Sequence, residues 1–215
     1  MNGVSGFRAA LAAVAIGLAA TACGGGHDPA GAQSTEAPLH GAVPNGPSAR
    51  PEFTLTTTAG STYDFGHQTN GRVTLLYAGY THCPDECPTS MADVAQALRD
   101  VPPAVAAKVV VVFVTTDPWR DNARVLRHWL DKFHPPVPYI GLTGTPVEVV
   151  AAEAAMGIPL SSKQTAPKGS SVGGYSVSHF AAVLVYGRDD RLATLYPSGV
   201  TPADIAADLE VLVKG

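Results

Sequence analysis

Residues 109–115 read Val-Val-Val-Val-Phe-Val-Thr, a strand-forming run with no polar alternation. A strand with one wet face alternates apolar and polar residues. A continuous run needs cover on both faces, as in a sheet sandwiched between helices. Residues 73–77 read as a second buried strand. Helical segments follow each strand, at 88–99 and at 122–133. The latter places Val125, Leu126, Trp129, Leu130 and Phe133 at helical spacing, with Asp121 as its expected N-cap. Thr145-Pro-Val-Glu148 and Thr201-Pro-Ala-Asp204 each put a Thr cap before a proline at the first helical position. They predict helices over about 146–156 and 202–213. Residues 180–186 and 191–195 read as a strand pair around a turn at 187–190. The polar, Gly- and Ser-rich stretch 158–178, carrying Lys163 and Lys168, reads as an inserted loop or weak hairpin. Strands alternating with helices, then a hairpin and a terminal helix, predict one α/β domain of thioredoxin type, a central mixed sheet flanked by helices.

The chain has 215 residues, 46% of them hydrophobic, enough for one well-packed core over 51–215. A formal charge of −4 gives no reason to expect a nucleic-acid partner. Residues 1–22 carry one side-chain charge, Arg8, followed by an uncharged Ala-rich run. That run is short against the roughly 20 apolar residues of a membrane span and fits a secretory signal. Ala20-Thr-Ala-Cys23 followed by Gly24 resembles a bacterial lipobox, with Ala20 where Leu or Val is usual. It implies a lipidated Cys23 and an exported domain anchored to the outer face of the bacterial cytoplasmic membrane. An ordinary signal peptide with an incidental cysteine is the competing reading. Residues 24–50 are rich in Gly and Pro and read as a flexible tether spanning roughly 30 Å.

With Cys23 lipidated, Cys83 and Cys87 are the remaining thiols. A staple, a redox pair and a metal clamp are all open to them. A bridge across so short a loop constrains the unfolded chain little, which weighs against a staple. Pro88 pre-sets the first turn of a helix and puts Cys87 near its N-terminus, where a thiol tends toward thiolate. Asp85 and Glu86 between the cysteines favour a held cation over a bare thiolate. The three intervening residues, against two in most disulfide-exchange enzymes, let both sulfurs face one metal.

Residues 76–90, Leu-Tyr-Ala-Gly-Tyr-Thr-His-Cys-Pro-Asp-Glu-Cys-Pro-Thr-Ser, with Thr116-Asp-Pro-Trp-Arg-Asp121 and the distal His179, resemble the Sco/SenC family. The resemblance spans about 51–215 and implies a thioredoxin-like fold. It implies one copper, Cu(I) or Cu(II), held by Cys83, Cys87 and His179, and a part in assembling the dinuclear copper site of cytochrome c oxidase. The implied partners are the copper-site subunit of that oxidase and another copper chaperone. Asp117, Arg120 and Asp121 fit the family's loop beside the site, Asp117 as a carboxylate behind the ligands. The family usually reads Asp-His-Ser where this chain has Ser178-His179-Phe180, which removes an acid that would orient the imidazole. The other histidines fit less well. His27 and His40 lie in the tether, His67 in a polar turn, and His128 and His134 on solvent-facing helical positions. His82 points away from its neighbour Cys83 if that segment is extended. Two thiolates and an imidazole suit copper and also zinc. A copper chaperone rather than a turnover enzyme is the leading expectation. A thiol–disulfide reductase using Cys83 and Cys87 as a redox-active dithiol is the alternative.

Overall fold

The structure, a computed structural model, describes residues 38–46, 48–165 and 174–215. The expected signal peptide, Cys23, the first part of the tether and Lys168 lie outside the described residues. In chain order the elements are β1 (Thr54–Thr57), β2 (Thr62–Asp64), α1 (Phe65–Thr69), β3 (Val73–Gly79), α2 (Glu86–Asp100), α3 (Pro103–Ala106), β4 (Val109–Thr115) and α4 (Ala123–Asp131). Then follow β5 (Ile140–Thr143), α5 (Pro146–Ala155), β6 (Ser162–Thr165), β7 (Tyr175–Ser178), β8 (Ala182–Tyr186), β9 (Leu192–Pro197) and α6 (Pro202–Leu212).

The main sheet runs β2-β1-β5-β4-β3-β8-β9, while β6 and β7 form a separate hairpin. Strands β5, β4 and β3 are parallel, and β1 and β8 flank them antiparallel. The sheet is therefore mixed, as expected. Its two central strands are buried at every residue. Alternate residues explain why. Leu75, Tyr77, Val111 and Phe113 face one core with Met91 and Leu98 of α2, Leu126 and Leu130 of α4, and Leu209 of α6. Leu76, Ala78, Val112 and Val114 face the other, with Phe65 of α1 and Ala152 of α5. Each large apolar side chain so buried contributes roughly 1.5–3 kcal/mol.

Both Thr-Pro signals form capping boxes, Thr145 with Glu148 and Thr201 with Asp204. Two local expectations change. Asn122, not Asp121, caps α4, accepting from the amides of Arg124 and Val125. Helix α2 begins at Glu86 rather than Pro88, so Pro88 sits inside the first turn, where no intrahelical acceptor awaits its missing N–H.

The expected tether ends sooner than Arg50. Ala42 exchanges backbone hydrogen bonds with Leu195 at 2.7 and 3.1 Å, and Leu192 N donates to Ser48 O at 2.8 Å. Buried Arg50 donates to Asp190, Thr69 Oγ1 and the carbonyls of Arg72 and Gly187. His40 is fixed as well, its Nδ1 2.7 Å from the buried Asp208 carboxylate. Polar, glycine-rich composition concealed this strap because its attachments are backbone bonds, one arginine and one histidine rather than apolar side chains. Among the described residues no helix is long and apolar enough to cross a membrane.

Candidate metal centre

Strand β3 ends at Gly79, and the segment Tyr80 to Asp85 leads into α2 at the carboxyl end of the parallel strands. The amide of Cys83 donates to Tyr80 O at 3.2 Å, closing a tight turn. Asp121 holds this turn from the loop after β4. Its fully buried carboxylate accepts from Thr81 N at 2.8 Å, Thr81 Oγ1 at 2.6 Å and Thr115 Oγ1 at 2.8 Å. Burial nevertheless raises the Asp121 pKa above the usual carboxylate value.

Cys87 occupies the second position of α2, where its amide has no partner within the helix. That amide donates to Cys83 Sγ at 3.4 Å. The amide of Tyr80 donates in turn to Cys87 Sγ at 3.5 Å. The thiols titrate in opposite directions. Half-buried Cys83 is lowered to about 4, chiefly by the side-chain hydrogen bond with Cys87 and then by His179 and the Cys87 amide. Burial pushes the Cys87 thiol strongly up, and the adjacent Cys83 adds to it. The pair thus favours one thiolate, on the outer sulfur, with a proton left on the inner one.

His179 lies between β7 and β8. Its Nε2 is 3.4 Å from Cys87 Sγ and 3.8 Å from Cys83 Sγ. The three donor atoms lie within 4.8 Å of one another. The ring meets Tyr77 and Tyr80 edge-on, at centroid distances of 6.0 and 5.5 Å. Its Nδ1 is 3.3 Å from Phe180 O, an atom that can only accept. A proton on Nδ1 satisfies that carbonyl, and Nε2 is the nitrogen that faces the sulfurs. A backbone carbonyl does what the missing acid at Ser178 would have done.

This set fits a soft metal ion. Bonds of about 2.0 Å to nitrogen and about 2.3 Å to sulfur, opened at near-tetrahedral or trigonal angles, separate donors by about 3.5–4.0 Å. Two sulfurs and one imidazole suit Cu(I), accommodate Cu(II), and leave a position open.

The remaining expected residues stand further out. Asp117 is fully buried and bonds none of the three. It pairs with Arg120 and accepts from Tyr175 Oη at 2.8 Å. His82 is exposed, with Nδ1 3.0 Å from Thr81 Oγ1; it stands outside the ligand set, although the segment is a turn rather than the extended stretch expected. Glu86 receives the Ser198 hydroxyl and Asp85 is exposed. His67 falls in α1 rather than a turn. Gly79, Tyr77 and Tyr80, quoted in the motif without a role, and Tyr175, which had carried no signal, belong to the site's surroundings. Each is an ordinary strand or loop residue until the fold places it.

The SCO1/SenC family profile matches residues 42–214. The chain belongs to the SCO1/SenC family. The chain is similar to Bradyrhizobium japonicum ScoI with copper bound, 30% identical at a TM-score of 0.64, covering 77% of this chain and 99% of that one. It is likewise similar to apo Sco1 of Thermus thermophilus, 31% identical at a TM-score of 0.68, covering 81% and 96%. A mitochondrial SCO1 homologue of Arabidopsis thaliana is 40% identical over 79 residues, 37% of this chain and 23% of that protein. Yeast mitochondrial SCO2 is 37% identical over 75 residues, 35% and 24% of the two chains. The aligned part is thus well under two thirds of these curated relatives. As an SCO1/SenC domain, the chain has the thioredoxin-like fold expected of it.

Proposed function

We propose that this protein is a copper carrier serving assembly of the dinuclear copper site of cytochrome c oxidase, with copper as cargo on Cys83, Cys87 and His179. The observation that carries this reading is the convergence of two sulfurs and an imidazole nitrogen within 4.8 Å, drawn from segments 92 and 96 residues apart. The similar B. japonicum structure has copper bound. The outer sulfur is available to incoming metal while the inner one is sequestered, so cargo enters and leaves past Cys83. An acceptor thiolate or imidazole takes the open position before Cys83 releases. The partners in this reading are a copper-donating chaperone and the oxidase copper-site subunit. We read the protein as exported and held on the outer face of the cytoplasmic membrane by lipid on Cys23, supported by the lipobox-like sequence.

The test is titration of the reduced protein with Cu(I) and, separately, Cu(II) against a competing chelator, wild type beside His179→Ala. One tightly held copper per chain is expected, with Cu(II) the more weakened of the two in the variant. No stoichiometric copper, or Cu(I) and Cu(II) binding both unchanged in the variant, overturns the reading.

One observation favours a second reading. A partly buried thiol lowered to about 4 beside a fully buried one whose titration is pushed up is the arrangement of a reductase. Cys83 thiolate would attack a partner disulfide and release one partner thiolate. Cys87, giving its proton to that thiolate, would then displace the second, leaving a Cys83–Cys87 disulfide and a reduced partner. If copper binds weakly but the reduced protein reduces an oxidase copper-site peptide stoichiometrically, this reading replaces the first.

A further inference from the structure

Outside the ligand set, five side chains form a continuous stack that ends on His179. Trp119, 59% exposed in the loop after β4, has Lys163 Nζ 3.6 Å above its ring. The same ammonium lies 4.7 Å from the Tyr175 centroid. Arg120 covers Tyr175 at 3.7 Å and Tyr80 at 5.8 Å. Tyr80 then meets the His179 ring edge-on. Polar bonds fasten the middle of the stack: Arg120 Nη1 donates to Tyr175 O at 3.1 Å, and Tyr175 Oη donates to Asp117.

This arrangement matters because the β6–β7 hairpin is not part of the main sheet. Strand β6 pairs with β7 and is exposed at every residue. His179 follows directly on β7, so its approach to the sulfurs depends on where the hairpin lies. We propose that the Trp119–Lys163–Tyr175–Arg120–Tyr80 stack is a clamp that closes this hairpin on the loop after β4 and thereby sets how fully His179 engages the metal. The proposal rests on the copper reading above. Tyr175, Arg120 and Lys163 are positioning residues in it, since none supplies a donor atom. Its chemical consequence is selective. Two soft thiolates already satisfy Cu(I), whereas Cu(II) depends on the imidazole. Opening the clamp therefore weakens Cu(II) far more than Cu(I).

The experiment uses the reduced full chain as wild type, Tyr175→Leu, Tyr175→Phe and Lys163→Gln, loaded separately with Cu(I) and Cu(II) under chelator competition. Tyr175→Leu removes two cation–π rungs and is expected to lower Cu(II) affinity by about tenfold or more, with Cu(I) changed less than about threefold. Its Cu(II) electron paramagnetic resonance spectrum should lose nitrogen hyperfine coupling. Tyr175→Phe keeps the ring and both cation–π rungs but loses the bond to Asp117, and should lose less Cu(II) affinity than Tyr175→Leu. Lys163→Gln alters an exposed side chain, so the domain should keep its fold and give an intermediate Cu(II) loss. If Tyr175→Leu and Lys163→Gln match wild type in both copper states, or lose both equally, the clamp is overturned. If wild type takes up no stoichiometric copper, the copper reading fails instead. The metal-free protein then decides the clamp alone: amide order parameters across β7 should fall below about 0.6 in Tyr175→Leu. Values unchanged from wild type overturn it.

Discussion

Gly79 lies so close to Cys87 that a Cβ on it would stand 2.7 Å from the Sγ and 2.6 Å from Tyr77 Cε1. The inner sulfur therefore packs directly against the backbone at the end of β3, with no room for any side chain. Gly79→Ala is expected to destabilise the domain by about 1–3 kcal/mol through overpacking. Displacing Cys87 should also weaken copper binding. A urea midpoint and copper stoichiometry equal to wild type would show that the sulfur is not confined this way.

Asp121 should behave as the keystone of the turn that precedes Cys83. Asp121→Asn keeps the shape but turns an acceptor oxygen into a donor facing Thr81 or Thr115. The expected loss is about 1–3 kcal/mol in urea unfolding. Cys83 should also become more reactive as its turn loosens. A variant as stable as wild type would leave the three bonds to Asp121 without the role given them.

The two thiols should react unequally in the reduced, metal-free protein. Cys83 is half-buried and thiolate-prone, while Cys87 is buried and protonated. One equivalent of iodoacetamide at neutral pH is expected to label Cys83 at least about tenfold over Cys87. Peptide mapping measures the ratio, and equal labelling or a preference for Cys87 would contradict the opposed titration.

The strap provides a pH signature. The hydrogen bond to Asp208, and then the charges of Asp208 and Asp204, raise the His40 pKa above its ordinary 6.5. A raised folded-state value means the protonated form is favoured on folding. Its contribution is complete below about pH 6.5 and disappears as pH rises through the raised value. Thermal midpoints of wild type and His40→Gln should accordingly differ most near pH 5.5 and converge at alkaline pH. A gap that widens with pH would reverse the sign and refute the latch.

Much of the scaffold is legible in the residues alone. The run at 109–115 is a strand over those same positions, because its β-branched residues and Phe113 pack best on a sheet covered on both faces. Both Thr-Pro caps act as caps because their chemistry is local. Strands β1, β2 and β5 are three or four residues long, too short to express a period, and only pairing with neighbours makes them strands. Asp121 and Asn122 are equally good caps on paper. The choice falls to Asn122 because Asp121 turns inward to Thr81 and Thr115. At the site, Cys83, Cys87 and His179 could be named from residue chemistry and family resemblance. Gly79 and Tyr175 could not, since their roles are steric and long-range and leave no mark on their neighbours in the chain.

The strap has one more consequence. Strand β9 ends the main sheet, and a terminal strand ordinarily offers a row of free N–H and C=O groups to any second copy of the chain. Here residues 42 and 48 occupy part of that row, at Leu195 and Leu192, with their own backbone bonds. The opposite border, β2, is only three residues long. Two such domains crowded side by side would find little on either border to zip together, which guards against strand-to-strand aggregation.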